Sequence, residues 1–284
     1  MRFTIQRDKL LKPLQHVVGV VERRQTLPIL SNVLIKAGDN RLALTTTDLE
    51  IEMVAHAELD IAESGEVTLP ARKFFDICRA LPDEAQLDIS IDNEKQRALI
   101  RSGKSRFNLT TLPAKDYPNI EEIKSTYRFS IAQSDLKEII EKTHFAMAQQ
   151  DVRFYLNGLL LEIRDAKVIA VATDGHRLSY CETEAQTNPD EVLQVILPRK
   201  GVTELVKILE DVDDSVDIEI GSNHVRINHP EIKFTTKLID GKFPDYNRVV
   251  PSGSDKKVSA DRDTLKQALA RASISVSYTH LTLP

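Results

Sequence analysis

Cysteine is scarce in this chain of 284 residues. There are two, Cys78 and Cys181, without CxxC spacing and with no histidine cluster beside either. That excludes a disulfide framework and a thiolate zinc site, and it reads as reduced thiols in a cytoplasmic protein. The seven histidines stand singly, none paired at metal-ligand spacing, so no zinc centre is expected. The ten glycines form neither GxGxxG nor a phosphate-binding P-loop. No cofactor is expected. No run reaches the ~18 apolar residues that a spanning helix needs. The opening "MRFTIQRDKL" is charged and lacks an apolar signal region, so secretion is not expected either.

What the chain does contain is a repeat. "RFTIQRDKLLKPL" from Arg2, "RFSIAQSDLKEII" from Arg128 and "KVSADRDTLKQAL" from Lys257 each read as an alternating strand followed by a helical pattern. Leu10 and Leu136 lie 126 positions apart, and Leu136 and Leu265 lie 129 apart. Asp8, Ser134 and Asp263 precede those leucines by two and are residue types that cap helix starts. "LPARKFFDICRAL" (69–81) matches "LPRKGVTELVKIL" (197–209), and Thr47–Asp48 matches Thr173–Asp174. The unit occurs twice in full and begins a third time near Val249. This predicts domains over 1–120 and 127–247, then a fragment over 249–284. Strands outnumber helices and the connections are short. Each domain is therefore expected to be a doubled βαβββ unit, with two helices on one face of antiparallel sheets: an α+β fold.

Charge is distributed unevenly. The formal net charge is −5. Helical windows 7–16, 71–81, 199–209 and 262–272 each carry +2, and 134–144 carries −1. Those windows sum to +7, which leaves −12 for the rest of the chain. Basic helices on an acidic remainder suit phosphate attraction, which follows local rather than total charge. The plain alternative is that Lys and Arg are good helix formers on solvated faces.

"VATDGHRLSY" (171–180) crowds Thr173, Asp174, His176 and Arg177 together. An enzyme using Asp174 and His176 would need a nucleophile motif, and none accompanies them. The repeat copy "TTTDLEIEM" keeps Thr-Asp and drops His-Arg. The Thr-Asp pair therefore reads as a structural Asx-type turn. Gly175, His176, Arg177 and Leu178 are what the second copy adds.

In combination, "FTIQRDKLLKPLQ", "TLPILSNVLI", "PARKFFDICRALP", "FAMAQQDVRFYLNGLLLE", "ATDGHRL" and "KLIDGKFPDYNRVVP" resemble the bacterial DNA polymerase III beta subunit family, the replicative sliding clamps. The resemblance runs from Met1 to about Ile274. It implies the DNA-clamp fold, with three similar domains per subunit and a head-to-tail homodimer ring around double-stranded DNA. It implies a non-enzymatic processivity factor that slides without sequence preference. The implied partners are the DNA polymerase III alpha subunit, the clamp loader, and other clamp-binding polymerases and repair proteins.

By matching position, DNA contacts fall on Arg24, Arg72, Gln150, Phe154 and Tyr155, with Arg199 and Lys200 as the repeat equivalents of the Arg72 region. Phe154 stands where the family often has tyrosine. A peptide-binding groove falls on Leu156, Thr173, Gly175, His176, Arg177, Leu178, Pro244, Arg248 and Val249. A competing reading is a non-ring peptide-binding scaffold with no nucleic-acid role. The last ten residues, "SVSYTHLTLP", have no counterpart in the family. With only a fragment of a third domain, the chain is expected to be monomeric.

Overall fold

The structure is a computed structural model and describes residues 1–21, 27–118, 124–187, 189–251, 253 and 255–274. Two compact units emerge, Met1–Phe243 and Pro244–Pro284.

The first unit holds two halves of the same plan. The first half runs β1 (Arg2–Gln6), α1 (Arg7–Val18), β2 (Asn32–Gly38), β3 (Arg41–Thr47), β4 (Ile51–Glu58), β5 (Ile61–Glu63) and β6 (Gly65–Pro70). It continues through α2 (Ala71–Ala80), β7 (Gln86–Asp92), β8 (Arg97–Ser102) and β9 (Ser105–Thr110). The second half runs β10 (Ser125–Ala132), α3 (Gln133–Glu141), β11 (Gly158–Arg164), β12 (Lys167–Thr173) and β13 (Leu178–Glu184). It continues through β14 (Leu193–Pro198), α4 (Arg199–Ile208), β15 (Ser215–Gly221), β16 (His224–Asn228) and β17 (Ile232–Lys237).

The helices form because apolar residues recur at helical spacing. Leu10, Leu14 and Val17 line the buried stripe of α1, and Ala71, Phe74 and Cys78 that of α2. α1 packs on α2, and α3 on α4. All ladders among the described strands are antiparallel. They build a five-stranded sheet, β5-β1-β7-β8-β9, and a four-stranded sheet, β13-β12-β11-β14. Between the halves runs an eight-stranded sheet, β10-β15-β16-β17-β4-β3-β2-β6. There β17 of the second half pairs with β4 of the first, Ile232 opposite Ala55 through Thr236 opposite Ile51.

The expected caps are not where the sequence suggested. Asp8, Ser134 and Asp263 all lie inside their helices, and the N-cap positions of α1 and α3 are Gln6 and Ala132, neither making a side-chain cap bond. Neighbouring loops supply the acceptors instead. Arg7 N donates to Ala85 O at 2.7 Å, Gln133 N to Asp214 O at 3.0 Å and Ser134 N to Val212 O at 3.0 Å. Asp8 is left to accept from Arg7 Nη1 at 2.6 Å.

The second unit carries a short helical turn at Tyr246–Arg248 and the helix α5 (Arg262–Ile274). Here Asp261 is the cap, accepting from both the backbone N and the Oγ1 of Thr264 at 2.8 Å. No residue of α5 is buried. No described helix is long and apolar enough to cross a membrane.

Candidate functional site

The turn between β12 and β13 is built from its own side chains. Thr173 Oγ1 donates to Arg177 O at 2.7 Å and accepts from Gly175 N at 3.1 Å. Asp174 Oδ1 accepts from His176 N at 2.9 Å and Arg177 N at 3.0 Å. Those two backbone N–H groups hold the Asp174 carboxyl below the usual carboxylate range, with the Arg177 guanidinium adding to the effect. Asp174 thus meets His176 through the backbone amide, which makes a turn and not an acid–imidazole dyad. The equivalent turn in the first half is the same device. Thr47 Oγ1 donates to Ile51 O at 2.7 Å, and Asp48 Oδ1 accepts from Glu50 N and Ile51 N at 2.9 and 2.7 Å.

The two copies then diverge. In the first half the turn faces the second half: Lys200 of α4 pairs with Asp48 and also donates to Val20 O at 3.4 Å. In the second half the turn carries Arg177, whose side chain is 58% exposed. Its Nε donates to Asp174 Oδ2 at 3.0 Å and its Nη2 to Phe145 O at 2.8 Å, and the guanidinium lies 5.7 Å from the centre of the Phe145 ring.

A second arginine flanks the same turn. Arg153 Nε and Nη2 grip Asp151 at 3.0 and 2.9 Å. Those side-chain bonds, helped by the Arg153 backbone N–H, hold the Asp151 carboxyl down at about 2. A β-carbon placed on Gly175 would sit 3.2 Å from Arg153 Nη2, and Gly175 has φ of 88°.

The loop behind Arg153 is tied to itself. Asn157 Oδ1 accepts from Asp151 N at 2.9 Å, Asn157 Nδ2 donates to Asp151 O at 2.8 Å, and Ala148 N donates to Leu156 O at 2.9 Å. It presents Gln150 exposed at φ 56°, Phe154 73% exposed and Tyr155 half-buried.

The sequence-predicted residues therefore divide. Gly175, His176, Arg177 and Leu178 share one surface turn, with Thr173 buried beneath it. Leu156 is buried at 2% exposure and so supports its loop from below. Pro244, Arg248 and Val249 belong to the second unit, where all three are exposed and Arg248 Nε contacts Asp245 Oδ2 at 2.9 Å. Arg24 lies outside the described residues.

Arg72 Nη2 donates to Val21 O at 2.5 Å, and its repeat equivalent Arg199 donates through Nη1 to Met147 O at 3.0 Å. Each arginine fastens a helix start to the loop leaving the preceding helix. The other helix cations are largely paired: Arg7 with Asp8 and Asp83, Lys12 with Glu231, Arg79 with Asp76, Lys142 with Glu138, and Lys207 with Glu204. Lys9, Lys73 and Lys137 have no ion-pair partner among the described residues. The net helical count of +7 already includes Asp8, Asp76, Glu138 and Glu204, so only the pairs to Asp83, Glu231 and Asp48, which lie outside those windows, lower it further.

Sequence reasoning passed over Phe145, Asp151 and Asn157. The signal for Phe145 was in the repeat alignment, which sets it opposite Gly19.

Comparison with known proteins fits this architecture. Residues 1–121 match the N-terminal domain of the DNA polymerase III beta subunit, and residues 130–245 match its central domain. The beta sliding clamp of Pseudomonas aeruginosa is 54% identical over 275 residues, covering 96% of this chain and 74% of that protein. The beta sliding clamp of Escherichia coli K12 is 50% identical over 276 residues with the same coverage. A crystal structure of the Pseudomonas aeruginosa clamp bound to griselimycin superposes with a TM-score of 0.93 at 53% identity, over 96% of this chain and 74% of that one. The Bacillus subtilis sliding clamp gives 0.92 at 32% identity, over 99% of this chain and 75% of that one. The fold is that of a sliding clamp. The chain belongs to the DNA polymerase III beta subunit family.

Proposed function

We propose that the chain acts as a processivity clamp. It holds double-stranded DNA without sequence preference and tethers the replicative polymerase, the clamp loader and other polymerases and repair proteins through a peptide groove. It acts in the cytoplasm as a non-catalytic subunit. The observation that carries this reading is the match of both halves to successive beta subunit domains.

The chemistry of the surface supports it. Arg24, Arg72, Gln150, Phe154 and Tyr155 are the DNA-facing set. An exposed phenylalanine can stack on a base or sugar without reading sequence. The pairing of several helix cations with nearby acids moderates the phosphate attraction, which favours sliding over trapping. The groove face in the first unit is the turn of Gly175, His176, Arg177 and Leu178, with Thr173 and Leu156 buried; Pro244, Arg248 and Val249 are the groove residues that the family resemblance adds from the second unit. Apolar residues there offer walls to an extended peptide, and the arginines and histidine fix its polar groups. Griselimycin, bound by the Pseudomonas aeruginosa relative, is the first ligand to try here.

The test is binding to a 30-base-pair duplex across a salt series. The clamp reading expects weak affinity that vanishes with salt, with a shallower salt slope for Arg24→Ala and Arg72→Ala. Salt-independent binding, or none, favours the scaffold reading. On this reading light scattering is expected to give the 32.0 kDa of a monomer.

A further inference from the structure

The two repeats differ in a correlated way beside the shared Thr-Asp turn. In the first half, the equivalents of Phe145 and Arg177 are Gly19 and Ile51. Both are covered: a β-carbon at Gly19 would collide with the Glu204 carboxylate, and Ile51 is fully buried in the β4 ladder to β17. In the second half both positions carry large exposed side chains that touch each other, Phe145 being 52% exposed.

We infer that Phe145 is a positioning residue for Arg177, holding its guanidinium ready for an oxygen acceptor of a bound peptide. This rests on the groove proposed above. A guanidinium has five N–H donors in a fixed plane. Asp174 Oδ2 and Phe145 O take two of them. Three remain, two on Nη1 and one on Nη2, and no acceptor among the described residues meets them. The Phe145 ring supports one face of the cation, an arrangement its quadrupole favours. The plane is thus fixed from below and from one edge while its other edge stays open. A free arginine would have to surrender rotamer freedom on binding, whereas this one has already lost it. The fitting ligand group is a carboxylate, which can take two parallel N–H bonds from such a fork.

The experiment has two arms. The first uses the free protein and follows the Arg177 Nε–Hε resonance and its exchange with solvent. Phe145→Ala and Phe145→Leu are expected to accelerate exchange severalfold, and Phe145→Tyr to restore protection. Unchanged exchange in Phe145→Ala overturns the inference, provided the melting temperature shows that the variant is folded. The second arm uses a fluorescein-labelled extended peptide with one aspartate and two leucines, and the same peptide with asparagine. Phe145→Ala is expected to weaken the aspartate peptide about two- to fivefold and to leave the asparagine peptide unchanged. The same substitution in an Arg177→Ala background is expected to change neither. Equal weakening of both peptides counts against the inference. If neither peptide binds the unsubstituted chain, the groove reading fails and the exchange arm alone decides the positioning role.

Discussion

The Lys200 ammonium reaches the Asp48 carboxylate from a position 152 residues away in the chain, joining the start of α4 to the turn after β3. The Asp48 side chain is 6% exposed and that of Lys200 29%. Removing the cation leaves a nearly buried charge that only the Glu50 and Ile51 amides serve. Lys200→Met is expected to cost about 1–3 kcal/mol of unfolding free energy in urea. Asp48→Asn should cost less, because the amide oxygen keeps both backbone bonds. An equal loss for the two would mean that the stranded carboxylate carries no penalty beyond the loss of the ion pair itself.

Leu49 and Gly175 occupy the same place in the two turns, with φ of 79° and 88°. An L side chain pays roughly 1–2 kcal/mol in that conformation. Gly175→Ala is expected to destabilise by about that much, and the new methyl presses on Arg153 as well. Leu49→Gly is expected to be neutral or stabilising, because Leu49 is 40% exposed and loses little packing. Opposite signs in paired thermal melts are the outcome to look for, and a loss of stability in Leu49→Gly counts against backbone strain there.

Stability should fall with mild acid. Burial lowers the affinity of His16, His56 and His229 for protons. Among the charges around them, Lys12 acts in the same direction on His16 and His229, and Arg41 and Lys233 do so on His56. Glu231 and Glu210 oppose the effect at His16 and His229. His16 Nε2 and His56 Nδ1 are buried without a hydrogen-bond partner. A histidine with a depressed folded value binds its proton more readily when unfolded. Its penalty is absent above the ordinary imidazole value of about 6.5 and grows as pH drops through it. The urea midpoint is expected to be flat from pH 8 to 7 and to decline towards pH 5, less steeply in His16→Gln. A flat profile to pH 5 removes the imidazoles from consideration.

Thiol reactivity should be split. Burial pushes the Cys78 thiol up to about 12, and its side chain is fully enclosed in α2. Cys181 is half-buried on β13. A disulfide-exchange reagent at pH 8 is expected to modify Cys181 promptly, and Cys78 only at the rate of unfolding. Two equally fast thiols would show that α2 opens readily.

The sequence made the architecture readable because the repeat is written in local patterns. Leu10 with Leu14, and Phe74 with Cys78, show helical spacing without reference to anything distant. Thr47–Asp48 and Thr173–Asp174 announce their turns because an Asx turn closes within four residues. The failures are all long-range. Asp8 and Ser134 are cap types, yet Ala85, Val212 and Asp214 already supply carbonyls to those helix starts, and no local window shows that. Lys200 reads as a free cation until β17 pairs with β4 and brings Asp48 to it. Arg177 stood out in the sequence as an addition to the second copy, but the aromatic ring beside it became visible only when the loop after α3 folded back onto β13.

The five pairings between β17 and β4 also make the joint between the halves a mechanical element. A load that slides one half past the other along the strands must break all five together. A load that peels the strands apart meets them one by one, starting at an end. Lys12–Glu231 stands next to the Ile232–Ala55 end, and Asp48–Lys200 next to the Thr236–Ile51 end. Each end where peeling would start therefore carries an ion pair across the joint, the nearly buried Asp48–Lys200 pair being the stronger hold and the exposed Lys12–Glu231 pair the weaker.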